Sequence, residues 1–173
     1  MKKLTAFIAG LLLCACQHKT DISVTEPQGP NIEKQITNTI PIVGGVETLH
    51  IIPFDMPFHA RMDTGAETSS VDAFNIRPFE RDGKKWISFD IKNRKDGTVK
   101  HFEKPVKRKT TIVRTGEEER RYVVHLDIKM GDKLIDAEFS LNDRSKFEYQ
   151  VLIGRNIING RFIIDPSISN TMH

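Results

Sequence analysis

The sequence predicts an all-β domain, either a barrel or a sandwich. Three observations carry this: short segments alternate apolar and polar residues, turn residues punctuate them, and no long stretch repeats every 3.6 residues. The segments "WISFDIK" (86–92), "KTTIVRT" (109–115), "RYVVHLDIKM" (121–130) and "LIDAEFSL" (134–141) are rich in β-branched and aromatic residues. Asp82-Gly83, Asp96-Gly97, Thr115-Gly116, Gly131-Asp132 and Asn142-Asp143 supply the turns between and around them. "GRFIIDP" (160–166) gives a last strand, stopped by Pro166, and one short helix is expected at 155–159, after Gly154.

The N-terminus reads differently. Lys2 and Lys3 precede a short apolar run, Leu4 to Leu13, which ends in Leu13-Cys14-Ala15-Cys16. The run is too short to span a bilayer and has the order of a cleaved export signal. Its end resembles the bacterial lipobox, in which a small residue precedes a cysteine that is lipidated. Residues 1–15 are therefore expected to be a signal peptide and Cys16 the lipidated N-terminus. Gln17, where the resemblance would put Asp for inner-membrane retention, points to the outer membrane, facing the periplasm. Residues 16–39 are polar, with Pro27, Gly29 and Pro30, and read as a flexible tether to a domain at 40–173.

Composition excludes several classes. Both cysteines lie in the leader region, so the mature chain has neither a disulfide pair nor a cysteine nucleophile. The net charge is +3, and losing Lys2 and Lys3 leaves 24 Lys+Arg against 23 Asp+Glu. No nucleic-acid partner is expected: the basic stretch Lys104 to Lys109 is short and has no interleaved aromatics.

One motif carries chemistry. "RMDTGAETSS" (61–70) places Asp63 before Thr64 and Gly65, and "VLIGRN" (151–156) places two apolar residues before Gly154. This pair resembles the retropepsin-like aspartic peptidases, in which an Asp-Thr-Gly loop sits beside an apolar-apolar-Gly strand that crosses under it. The resemblance covers about residues 41–170 and looks like one bacterial branch often labelled "ATP-dependent zinc protease" and associated with ATP-grasp ligases that add glutamate to proteins. The resemblance implies a closed retropepsin-like β-barrel and an aspartic endopeptidase acting on a peptide or isopeptide bond.

It also implies roles. Asp63, Thr64 and Gly65 form the catalytic loop. Ala66, Glu67, Gly154, Arg155 and Asn156 support it, with Glu67 bonding Arg155. The Thr64 hydroxyl locks two such loops together. Two carboxylates held together share one proton, so that one activates water and the other polarises the carbonyl. The chain has a single Asp-Thr-Gly, so a homodimer bringing Asp63 from each subunit to a two-fold axis is expected. The cover over the site should be the hairpin "KTTIV-RTGEE-ERRYVV", with Thr115, Gly116 and Glu117 at its tip and 75–103 as an insertion. The tip is charged, through Glu117, Glu118, Glu119, Arg120 and Arg121, where minimal retropepsins are apolar.

Two other classes compete. One is a non-catalytic module of the same fold that binds peptide or an envelope partner; the intact Asp-Thr-Gly argues against it. The other is a zinc peptidase. His18, His50, His59, His101, His125 and His173 form no His-Glu-x-x-His, and no phosphate-binding loop is present. No cofactor and no metal are therefore expected. The partners expected are a peptide or protein substrate, a second copy of the chain, and a membrane reached only through the lipid.

Overall fold

The computed structural model describes residues 39–114 and 117–172, without the side chains of 113, 114 and 117. The leader, the tether, Cys16, Thr115 and Gly116 lie outside the described residues, as does the side chain of Glu117.

The alternating segments fold into strands. In the first half these are β1 (Ile42–Ile51), β2 (Phe58–Met62), β3 (Ser69–Asp72), β4 (Phe74–Arg81), β5 (Lys84–Lys92) and β6 (Val99–Pro105). The second half supplies β7 (Arg108–Arg114), β8 (Glu117–Met130), β9 (Lys133–Asn142), β10 (Val151–Ile153) and β11 (Ile163–Ser169). A single turn of helix, α1 (Arg155–Ile158), follows Gly154 as expected.

Eight strands form one sheet in the order β11-β1-β2-β10-β3-β9-β8-β7. An additional β1–β8 pairing, His50 with Lys129 and Ile51 with Ile128, closes the strands from β1 to β8 into a ring and leaves β11 and β7 at its edges. The all-β architecture is the one expected. Val124, Leu126, Ile128 and Met130 alternate into the ring from β8, and Leu49, Ile51, Phe139, Val151 and Ile153 meet them, all almost fully buried. This period-two burial fixes register, because a slip of one residue would turn the apolar set outward.

The predicted insertion is a separate three-stranded sheet, β4-β5-β6. Its first hairpin turns at Asp82 and Gly83, both at positive φ (52° and 69°), the conformation a two-residue hairpin needs and that Asp-Gly tolerates. Ile87, Phe89 and Ile91 point into the core from β5. An aromatic chain joins the sheet to the ring: Phe89 stacks on Phe102 at 5.3 Å, Phe102 on Phe54 at 6.3 Å, and Phe54 meets Phe58 edge-on at 5.1 Å. Phe58 begins the strand that leads to Asp63.

Pro166 does not end the last strand, which runs on to Ser169. β11 lies at the sheet edge, parallel to β1, and Pro166 falls where the register shifts between Gly44 and Val46. An edge strand at an irregularity tolerates a residue that has no amide to donate. The C-terminus is then tied down by Glu47, fully buried in β1. Its carboxylate accepts from the amides of Gly44, Thr171 and Met172 and from the Thr171 hydroxyl. Burial alone would push this carboxyl up. The hydrogen bonds outweigh it and hold the pKa below the ordinary glutamate value.

Candidate active site

β2 buries Phe58, Ala60 and Met62 and exposes His59 and Arg61, so the chain leaves the core at Asp63. β10 runs parallel to β2, with Ile153 beside Met62. The ladder continues one step further, where the Asp63 amide donates to the Ile153 carbonyl at 2.8 Å. The Asp63 side chain then turns back on its own loop. Its Oδ1 accepts from the amides of Gly65 at 2.9 Å and Ala66 at 3.2 Å. Among the described residues Oδ2 takes no hydrogen bond, so Asp63 caps the turn with one oxygen and presents the other.

Gly154 explains why the second motif needs glycine. A Cβ there would lie 2.9 Å from both the Ala66 carbonyl oxygen and the Thr68 carbonyl carbon, which are backbone atoms with no room to move. The crossing is closed by main-chain bonds from Arg155 to the Ala66 carbonyl (2.8 Å) and from Asn156 to the Glu67 carbonyl (3.1 Å). Asn156 Oδ1 also accepts from the Ser69 amide and hydroxyl, and its Nδ2 donates to the Glu138 carbonyl. The Ser69 hydroxyl in turn accepts from the Gly154 amide at 3.0 Å.

The expected Glu67–Arg155 ion pair does not form. Arg155 Nη1 donates instead to the carbonyls of Thr64 (3.1 Å) and Gly65 (2.8 Å), and Glu67 joins no ion pair among the described residues. A guanidinium that reaches the Asp63 loop finds carbonyls nearer than the exposed Glu67 carboxylate. Arg155 still braces the loop, through its backbone. Thr64 is exposed, and its hydroxyl takes no partner within the chain among the described residues.

The loop opens on a cleft of about 520 Å³. Asp63, Gly65 and Glu67 line one side, and Thr110, Thr111 and Ile112 of β7 line the other. The cover hairpin forms as expected, with β7 pairing β8 from Arg108–Val123 out to Arg114–Glu117. Ser70, Arg121, Ser140 and Arg144 complete the wall. Sequence reading missed these. One signal was available: Arg121 shares its face of β8 with Val123, which is fully buried, so it turns inward although it sits in a charged run. Arg108 was missed too; it bonds Thr68 Oγ1 at 2.9 Å and Glu138 at 3.0 Å, linking the hairpin base to the Asp63 loop.

Among the described residues no three His, Cys, Asp or Glu side chains gather to hold a metal ion. His101 and His125 each face a carboxylate, Asp90 at 2.7 Å and Asp136 at 2.9 Å.

An Asp-Thr-Gly loop crossed by an apolar-apolar-Gly strand, within a ring of β-strands, defines the retropepsin-like class. The family model described as "Retropepsin-like aspartic endopeptidase RimB" matches residues 42–172, and the chain belongs to this RimB-like family. Two curated relatives are each named "Probable alpha-L-glutamate ligase". The one from Shewanella pealeana is 36% identical over 74% of this chain, and the one from Desulfotalea psychrophila is 35% identical over 73%. The chain spans only 29% and 28% of their lengths. A crystal structure of a Legionella pneumophila protein of unknown function matches with a TM-score of 0.66 and 31% identity, covering 77% of this chain and 98% of that one.

Proposed function

We propose that the chain is an exported, lipid-anchored aspartic endopeptidase that hydrolyses peptide or isopeptide bonds. The observation that carries this reading is the Asp63 carboxylate, held through Oδ1 by two loop amides and facing a cleft under a hairpin. Hydrolysis needs a water deprotonated on one side of the scissile carbonyl and a carboxylic acid donating to its oxygen. Asp63 and its symmetry mate supply both. The exposed Thr64 hydroxyl is free to meet the second loop. Ile42 and Ile163, adjacent in register and both more than half exposed, give the β1–β11 edge an apolar face suited to a second copy. The ligase in the relatives' names is not carried over, since this chain matches under a third of their length.

The test is hydrolysis of a diverse peptide library by the soluble domain, with Asp63→Asn as control. Cleavage by the wild type that is lost in Asp63→Asn and insensitive to chelator supports the reading. Chelator-sensitive cleavage that survives in Asp63→Asn overturns it in favour of zinc, and peptide binding without cleavage favours the non-catalytic module. Lipid anchoring has its own check. Metabolic labelling with a fatty acid should mark the wild type and not Cys16→Ser, and equal labelling of both would contradict it.

A further inference from the structure

The three-stranded insertion reaches toward the Asp63 cleft through one side chain. Arg94 lies in the turn between β5 and β6, and its guanidinium makes three bonds outside its own sheet. Nη1 donates to the Phe147 carbonyl at 2.8 Å, and Nη2 donates to the Arg144 carbonyl and to Asp72 Oδ2, each at 2.6 Å. The Arg94 amide donates to Gln150 Oε1 at 2.8 Å, and Gln150 Nε2 donates back to the Lys92 carbonyl at 2.5 Å. Asp72 completes the frame, its Oδ1 accepting from the Arg144 amide at 2.7 Å. Arg144 is thus held at its carbonyl by Arg94 and at its amide by Asp72. The Arg144 side chain is buried, donates from Nε to the Tyr149 carbonyl at 3.0 Å and stacks on Phe147 at 4.7 Å. It lines the Asp63 cleft, whereas Arg94 and Asp72 line a neighbouring cavity of about 770 Å³. The frame stands between the two cavities, with Arg144 on one and Arg94 on the other.

We propose that Arg94 is a positioning residue for the Asp63 cleft, which fixes Arg144 in the cleft wall without lining the cleft itself. This rests on the peptidase reading and makes the insertion part of the apparatus that binds substrate. Arg144 and Phe147 belong to the connection between β9 and β10, which has no strand ladder of its own. Its carbonyls must therefore find donors elsewhere. A planar guanidinium serves two carbonyls and a carboxylate at once, and a lysine ammonium, a point charge on a flexible stem, does not reproduce that fork. Without Arg94 the Phe147 carbonyl loses its donor, Asp72 loses its cation, and the turn that carries Arg144 loses its hold on the insertion. The amides that cap Asp63 belong to a different segment. Loosening the turn consequently alters how substrate is held and leaves the chemical step in place.

The test is a double-variant cycle on the library peptide that the wild type cleaves fastest, with Arg94→Gln, Arg144→Gln and both together. Arg94→Gln should raise KM about fivefold or more and leave kcat within about twofold. Added to Arg144→Gln, it should raise KM no further, because it acts through Arg144. Arg94→Lys, which keeps the charge beside Asp72, should give an intermediate KM and guards against misfolding of the glutamine variant. Glu103→Gln, in the same sheet but outside the frame, should leave KM at the wild-type value. Hydrogen exchange should quicken in 143–150 in Arg94→Gln. An unchanged KM in both Arg94 variants, or KM effects that multiply in the double variant, overturns the positioning role and leaves the peptidase reading standing. Should the wild type bind library peptides without cleaving them, the same cycle is read in Kd; a non-additive loss of binding then supports the positioning role and counts against the peptidase. Neither binding nor cleavage overturns both.

Discussion

The Asp63 loop and the β7–β8 hairpin line one cleft and are built in opposite ways. The main chain of the loop at 63–68 takes part in most of the bonds that hold it: its amides cap Asp63, its carbonyls hold Arg155, and Gly154 passes where no Cβ fits. The hairpin is a plain antiparallel ladder in which Glu118 and Arg120 are exposed and Glu119 pairs with Arg121 on the same strand. Backbone-built geometry dictates residue identity; a ladder tolerates nearly any side chain.

The largest expected effect lies in the loop. Asp63→Asn keeps an acceptor for the capping amides and should leave the denaturation midpoint almost unchanged, while hydrolysis falls about 10³-fold or more. Gly154→Ala should act differently. The forced contact with the backbone of Ala66 and Thr68 should cost about 1–3 kcal/mol in chemical denaturation and should lower activity with it.

Away from the cleft, Glu47→Gln should cost about 1–2 kcal/mol, because one acceptor oxygen and the charge are lost among several donors. The sign with pH follows from the direction of the shift. A carboxyl whose folded pKa lies below its unfolded value stabilises fully above the ordinary value of 4.5 and loses that contribution as pH falls through the folded pKa. The stability gap between wild type and Glu47→Gln should therefore be widest near neutrality and should close in acid. The smallest effect belongs to the exposed Arg81–Glu103 pair of the three-stranded sheet, whose side chains are 43% and 42% exposed. Glu103→Gln, which leaves Arg81 stacked over Phe79 and Trp86, should change stability by under about 0.5 kcal/mol.

What could be read in the sequence was local. Alternation marked β5, β7, β8 and β9, Asp-Gly and Gly-Asp marked their turns, and Gly154 announced both the crossing and α1. What escaped depends on contacts between distant segments. Pro166 reads as a stop until β11 is known to lie at an edge beside an irregular stretch of β1. Glu47 looks like a surface residue of a strand until the C-terminus folds over it. Arg155 has a carboxylate partner by resemblance, yet carbonyl oxygens of Thr64 and Gly65 lie within its reach. Arg121 hides in a charged run because periodicity gives the face of a strand but not what that face meets.

The central claim is that two copies of Asp63 act together, and mixing measures it directly. Wild-type and Asp63→Asn chains, exchanged at equal concentration and constant total protein, should retain only wild-type homodimers as active species, about a quarter of the pool under random pairing. Activity per wild-type chain should then fall by about half and continue to fall as more Asp63→Asn is added. Activity per wild-type chain that stays constant at every ratio would show that one chain suffices, and the shared-dyad account would be wrong.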